Sequence, residues 1–330
     1  MQDVAAKAGV SAQTVSNVIN GRTDHVGPET MQRVIDAIND LGYRLNQSAR
    51  SLRRGRTGIV GLGMPSFVNE YYAELAERLG QRFSARGIRM VTELTWHAIT
   101  DEMESLAASR LETYDGFILA LAVSESADLH GLTPSKPIVL LGERALSARF
   151  DHVLMDNQGG GRMATLALLD RGARAIVALG GAREGSDSVE TLRTRGYLQA
   201  HEERSVEVRG DLIVTSGLHV DDGYRAMRAV LDAGTPFDAV FALTDSCAIG
   251  AVRALHEAGR RIPDDVQIVG FDNLRAGMFC TPPLSTIEPG NDEMAETIVN
   301  LMVERLAGRR PERPRHIVST ASLVLRESTR

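Results

Sequence analysis

The chain has 330 residues, 43% apolar and 24% charged, a globular composition on a length that exceeds one compact domain. No apolar run approaches the ~20 residues of a membrane span, and Cys247 and Cys280 show neither a disulfide framework nor metal-ligand spacing. The net charge of −6 divides into +3 over residues 1–57 and −9 over 58–330, a basic head on an acidic body, with five arginines and no acid from Arg44 to Arg56.

Taken in chain order, residues 3–9 read as a short helix with Val4, Ala5 and Ala8 apolar and Gly9 as its stop. Ser11 is an N-cap for a second helix, 12–20. Val15, Val18 and Ile19 share one face of it, leaving Gln13, Thr14, Ser16, Asn17 and Asn20 on the other. A third helix, 28–41, starts at Pro28 and points Val34, Ile35, Ile38 and Leu41 inward. Two short helices joined through a glycine make a helix-turn-helix pattern. The uncharged hydrogen-bonding face of the second helix suits base-edge readout in a major groove.

From residue 58 the texture alternates. Strands are predicted at 59–63, 88–92, 114–123, 137–143, 175–179, 211–215, 238–243 and 266–270. Helices are predicted at 71–86, 101–111, 160–171, 189–203, 222–233, 246–258 and 291–307. This alternation implies parallel, doubly wound α/β sheets in two subdomains. The glycine clusters GLGMPS and GGAREG fit no dinucleotide fingerprint. There is no phosphate-binding loop, HExxH or GxSxG, and the eight histidines are scattered. No catalytic constellation, metal site or cofactor is expected. The N-terminus shows no secretory pattern, so the expected location is cytoplasmic.

The strings DVAAKAGVSAQTVSNVING and ETMQRVIDAINDLGYRLNQSARSL closely resemble the DNA-binding headpiece of the LacI family of bacterial repressors. The resemblance implies base reading by Ala12, Gln13 and Asn17. It implies phosphate contacts from Ser11, Thr14, Ser16, Asn20, His25, Thr30, Tyr43 and Asn46. Residues 47–54 match the family's hinge helix, with Leu52 as the wedge between base pairs, Ala49 beside it, and Arg50, Arg53 and Arg54 facing phosphates. Leu45 stands where the family usually has proline.

The body resembles the family's effector domain, whose fold is that of periplasmic sugar-binding proteins. The strings are VLMDNQGGGRMATLALLDRG, RTRGY, AVFALTDSCAIGAVRALHEAG, IPDDVQIVGFDN and PPLSTIEPGNDEMAE. The implied organisation is a headpiece (1–46), a hinge and linker (47–57), an N-terminal lobe (58–157 with 290–320) and a C-terminal lobe (158–289 with 321–330). Three crossovers join the lobes, and a ligand lies in the cleft between them. The residues carried over are Arg193, Asp272, Tyr71, Tyr72, Thr244, Asp245 and Asp187, with Val189 and Leu218 at variable positions and Ala120 replacing a polar one. Asp245 is equally a cap for a helix at Ser246, and Trp96 is equally a core residue. The acidic balance favours a neutral polyhydroxylated ligand over a phosphorylated one. The expected protein is a homodimeric repressor on a near-palindromic operator, controlled by a small-molecule effector, most simply a carbohydrate. Two alternatives are a periplasmic-type sugar receptor without a transcriptional role and a sugar-processing enzyme carrying a DNA-binding domain.

Overall fold

The computed structural model describes residues 1–19, 22–23, 25–42, 56–123, 128–129, 132, 134–143, 149–309 and 313–330. The chain forms two compact units, Met1–Thr57 and Gly58–Arg330.

Among the described residues, the first unit holds three clustered helices: α1 (Gln2–Ala8), α2 (Ala12–Ile19) and α3 (Pro28–Asp40). Gly9 closes α1 at φ 63°, in the left-handed region that a Cβ disfavours. Two residues later the Ser11 hydroxyl accepts from the Thr14 N–H at 3.0 Å and starts α2. Val4, Ala5, Ala8, Val15, Val34 and Ala37 form the core, with Val10, Val18, Ile19 and Ile38 against it. Leu41 departs from expectation: it is the C-cap of α3 and is 44% exposed, one residue beyond the last helical turn.

The second unit contains two six-stranded sheets. The first is assembled from β1 (Ile59–Met64), β2 (Arg89–Leu94), β3 (Gly116–Ala120), β4 (Ile138–Leu141), β5 (Asp151–Leu154) and β11 (His316–Val318), in the order β11-β5-β4-β3-β1-β2 and wholly parallel. The second takes β6 (Ile176–Leu179), β7 (Ile213–Val214), β8 (Ala239–Ala242), β9 (Gln267–Phe271), β10 (Ser285–Glu288) and β12 (Ser322–Val324), in the order β12-β10-β9-β8-β6-β7. Only the β10–β12 pair is antiparallel. Strands β3, β4, β6, β8 and β9 are buried along their whole length, as expected where helices cover both faces.

The helices are α4 (Glu70–Ala85), α5 (Ile99–Ser105), α6 (Ala108–Leu111), α7 (Asn157–Asp170), α8 (Val189–Glu203), α9 (Val220–Asp232), α10 (Asp245–Glu257) and α11 (Asn291–Leu306). The single helix predicted over 101–111 is broken at Ala107, whose backbone is extended. Leu106 and Leu111 both enter one buried cluster. Five residues apart on a straight helix they would diverge by ~140°. The strand predicted over 211–215 is reduced to two residues after a 3-10 turn at Gly210–Leu212. Among the described residues, no helix is long and apolar enough to cross a membrane.

The chain passes between the sheets three times, after β5, after β10 and between β11 and β12. Ser319 stitches the three passages together. Its hydroxyl donates to the Pro289 carbonyl at 2.5 Å and to the Leu154 carbonyl at 3.2 Å, and its N–H donates to Leu154 at 2.9 Å.

Strand β5 carries two fully buried polar side chains. Asp151 accepts from Arg305 Nε at 2.8 Å and from the Arg315 backbone N–H at 2.9 Å. His152 sets Nε2 2.6 Å from the Gly142 carbonyl, and burial pushes its pKa down to about 4. The unfolded chain takes up this proton near pH ~6.5, the native state only near 4. Stability from a neutral His152 is therefore full above pH ~6.5 and is lost as the pH falls to about 4, by roughly 3 kcal/mol. His152→Asn is expected to remove that slope. Denaturation midpoints of both proteins between pH 7 and 4 measure it, and parallel curves would refute the assignment.

Candidate functional site

A cavity of about 270 Å³ opens at the carboxyl ends of the strands of both sheets, where open α/β sheets generally place ligands. The first half contributes Asn69, Tyr71 and Tyr72 from the start of α4, His97 after β2, Leu121 and Ala122 after β3, Glu143 after β4, and Met155 after β5. The second half contributes Val189, Glu190 and Arg193 from α8, Leu218 and His219 before α9, Thr244 after β8, and Asp272 after β9.

Arg193 is 2% exposed and forms the floor. Its Nε donates to Asn157 Oδ1 at 2.7 Å, Nη1 to the Leu243 carbonyl, and Nη2 to Asp272 Oδ1 at 3.1 Å. The guanidinium lies 3.5 Å over the Phe271 ring. The planar fork suits three partners set around it, which a lysine would not reproduce. Ser188 places Arg193 by capping α8 reciprocally with Thr191.

Asp272 ends β9 at φ 110° and Asn273 follows at φ 50°, two successive non-glycine residues in the left-handed half of backbone space. The strain is held by neighbours. The Asp272 carbonyl accepts from Asn291 Nδ2 at 2.9 Å, and Asn273 bonds Glu288 and Arg326. Burial pushes Asp272 up to about 7, against the pull of Arg193. The stabilisation from its protonated form is full below the ordinary value of 3.8 and is lost as the pH rises through 7. That slope opposes the one from His152, so comparison of variant with parent isolates each.

Asp245 does not face the cavity. It is fully buried, accepting from Thr286 Oγ1 at 2.6 Å and from the Leu274 N–H at 2.7 Å. Nor does it cap a helix: the N-cap of α10 is Thr244, whose hydroxyl accepts from the Cys247 N–H at 3.1 Å. Asp187 is exposed and bonds Arg195 Nη1 at 2.7 Å. Trp96 is 68% exposed and Ala120 is buried within β3; neither lines the cavity. Tyr71, Tyr72, Arg193, Thr244, Asp272, Val189 and Leu218 do. Glu143, Glu190, His97 and His219 were missed. His97, Glu143 and His219 sit on connections that follow strands and Glu190 sits in the first turn of α8, so the predicted element ends held the signal.

Among the described residues, hydrogen bonds also cross the cleft to Glu70 and Glu74 of α4. Ser246 Oγ donates to Glu70 Oε2 at 2.6 Å, and the Arg275 N–H donates to Glu74 Oε1 at 2.9 Å.

In the first unit Ala12 and Gln13 are exposed on α2, and Thr14, Ser16 and Asn17 are partly so. Gln13 Nε2 donates to Asn17 Oδ1 at 3.1 Å, which aligns two amides on one face. His25 is exposed and Thr30 partly buried. Asn20, Tyr43, Asn46, Ala49, Leu52 and Arg53 lie outside the described residues, with Leu45, Arg50 and Arg54.

Residues 1–46 match the family model for bacterial regulatory proteins of the lacI family, and residues 165–329 match a periplasmic binding protein-like domain. The ribose operon repressor of Halalkalibacterium halodurans is 31% identical over all of this chain and 97% of its own. The chain belongs to the LacI family. The HTH-type transcriptional repressor PurR of Escherichia coli is 32% identical over 99% of this chain and 96% of its own. A solved complex of the transcriptional regulator CelR with cellobiose superposes with a TM-score of 0.72 at 31% identity, covering 99% of this chain and 98% of that one. This LacI-family member is accordingly a DNA-binding transcriptional regulator under small-molecule control, and the cavity between its sheets is the candidate effector site.

Proposed function

We propose that this regulator is a cytoplasmic repressor. Two copies read a near-palindromic operator, and a small polyhydroxylated, non-anionic effector held between the two halves of the body alters their grip. The observation that carries the effector class is the lining. Its one arginine, among the described residues, is already paired to Asp272, Asn157 and the Leu243 carbonyl, so no guanidinium or ammonium is left over for a phosphate. Carboxylates, Asn69 and Thr244 accept hydroxyl protons, while Tyr72, Leu218 and Met155 offer apolar faces. Effector binding changes the angle between halves that already touch through Ser246–Glu70, and it biases the segments leading to the headpieces. Coupling of ~1–3 kcal/mol is typical of such systems.

Selection of genomic duplexes by the purified protein tests the DNA half. Enriched fragments should share a two-fold sequence, and sugars, rather than sugar phosphates, should change their retention. No preference over random duplex, or a phosphate ester as sole effector, would overturn it. Base reading by Gln13 predicts that Gln13→Ala relaxes preference at one symmetric pair of operator positions, at ~1–3 kcal/mol each. Binding to operators substituted at each position is the measurement. A uniform loss on all sequences would reduce Gln13 to a backbone contact.

A further inference from the structure

The cavity's charge is lopsided. Glu143 reaches it from the first half and Glu190 from the second. Neither carboxylate has a hydrogen bond or ion pair among the described residues. Arg193 does not compensate them, because it is spent on Asp272 and two further acceptors. The field of Glu143 is felt across the site. After burial it is the largest influence raising the Tyr72 phenol, and it adds to the rise of Tyr71 and Asp272.

A second observation points to a missing ligand group. Tyr71 is 9% exposed, lines the same cavity, and its hydroxyl has no hydrogen-bond partner among the described residues. A buried phenol left unpaired is destabilising, and a bound acceptor or donor would relieve it. The Tyr71 and Tyr72 rings meet edge to face at 5.3 Å, and rings in such a wall attract a cation as well as an apolar face.

We infer that the effector carries a basic nitrogen: a polyhydroxylated amine whose ammonium is held between Glu143 and Glu190 and whose hydroxyls meet Tyr71 and Asp272. This rests on the reading of the cavity as the effector site and narrows it from polyols in general to amino sugars and amino polyols. The two carboxylates come from opposite halves, so one ammonium bridging them draws the halves together. A neutral polyol does so only by weaker hydrogen bonds.

The test uses the full-length protein in calorimetric titrations with matched compounds: D-glucosamine, D-glucose and N-acetyl-D-glucosamine, the corresponding galactose set, and glucamine against sorbitol. At least one amine is expected to bind about tenfold tighter than both its hydroxyl and acetylated counterparts. The advantage should vanish when the pH is raised through the amine's own pKa. Glu143→Gln should abolish the advantage while retaining hydroxyl contacts, and Glu190→Gln is the second variant should the first not fold. No amine exceeding its neutral counterpart overturns the inference, as does a preference that survives both substitutions. A neutral sugar that binds and shifts operator affinity also overturns it while leaving the regulator reading intact. Failure of that reading shows separately, in the duplex selection.

Discussion

Arg193→Ala is expected to abolish the effector response and to destabilise the body by about 3–5 kcal/mol, the usual consequence of breaking a buried ion pair by removing one partner. Asp272 then faces Asp245, already raised by burial and by Asp272 itself, without the guanidinium that offsets them. Asn157 Oδ1 and the Leu243 carbonyl lose their donor, and Phe271 loses the cation on its ring. The headpiece has a core that shares no residue with the body. Below the variant's lowered melting temperature it should still bind duplex, and retention should no longer depend on effector. Melting temperature and effector-dependent operator binding are the two readouts. A variant that responds like the parent would show that the cavity is not the sensing site.

The second large effect is steric. In α8, Gly196 lies so close to α7 that a Cβ there would stand 2.1 Å from the Gln158 carbonyl oxygen and 2.5 Å from the Arg162 nitrogen. On the facing helix, a Cβ at Gly161 would stand 2.5 Å from the Arg193 carbonyl oxygen. The α9–α10 pair repeats the arrangement, with a Cβ at Gly250 only 2.0 Å from the Val220 carbonyl. Backbone cannot yield as a side chain does, so the helices must separate. Gly196→Ala is expected to cost at least about 3 kcal/mol, the upper end for overpacking, and to displace Arg193 one turn away. Its mark is a fall in melting temperature together with weakened effector binding. Gly234→Ala is the control for a glycine whose Cβ position is open, although its φ of 66° brings strain of its own. Equal melting of Gly196→Ala and the parent would mean that the helices are not in contact.

Much of this was legible where chemistry is local. Gly9, Ser11 and Pro28 mark helix ends through their own backbone preferences, and all three headpiece helices follow. The strings around Arg193 and Asp272 located the floor of the cavity. What escaped depends on distant partners. Strand β5 has Asp151 and His152 buried side by side, which reads as a loop until Arg305, Arg315 and the Gly142 carbonyl are known to satisfy them. Strand β10 is similarly polar, with Ser285 bonded to the Ser328–Thr329 segment more than 40 residues on. Asp187 and Asp245 were drawn to the site by position alone. An exposed arginine claims one, and a buried threonine and a backbone N–H claim the other.

The threefold passage of the chain between the sheets bears on how the protein is made. The first sheet acquires one edge strand only at residues 316–318 and one of its covering helices only at 291–306. During synthesis the earlier strands must therefore wait, incompletely covered, until residues 291–318 have left the ribosome, whereas the headpiece can close within its first few dozen residues. A late stop codon would thus remove the metabolite sensor entire, not trim one half of it, and would leave an N-terminal fragment with no means of being switched.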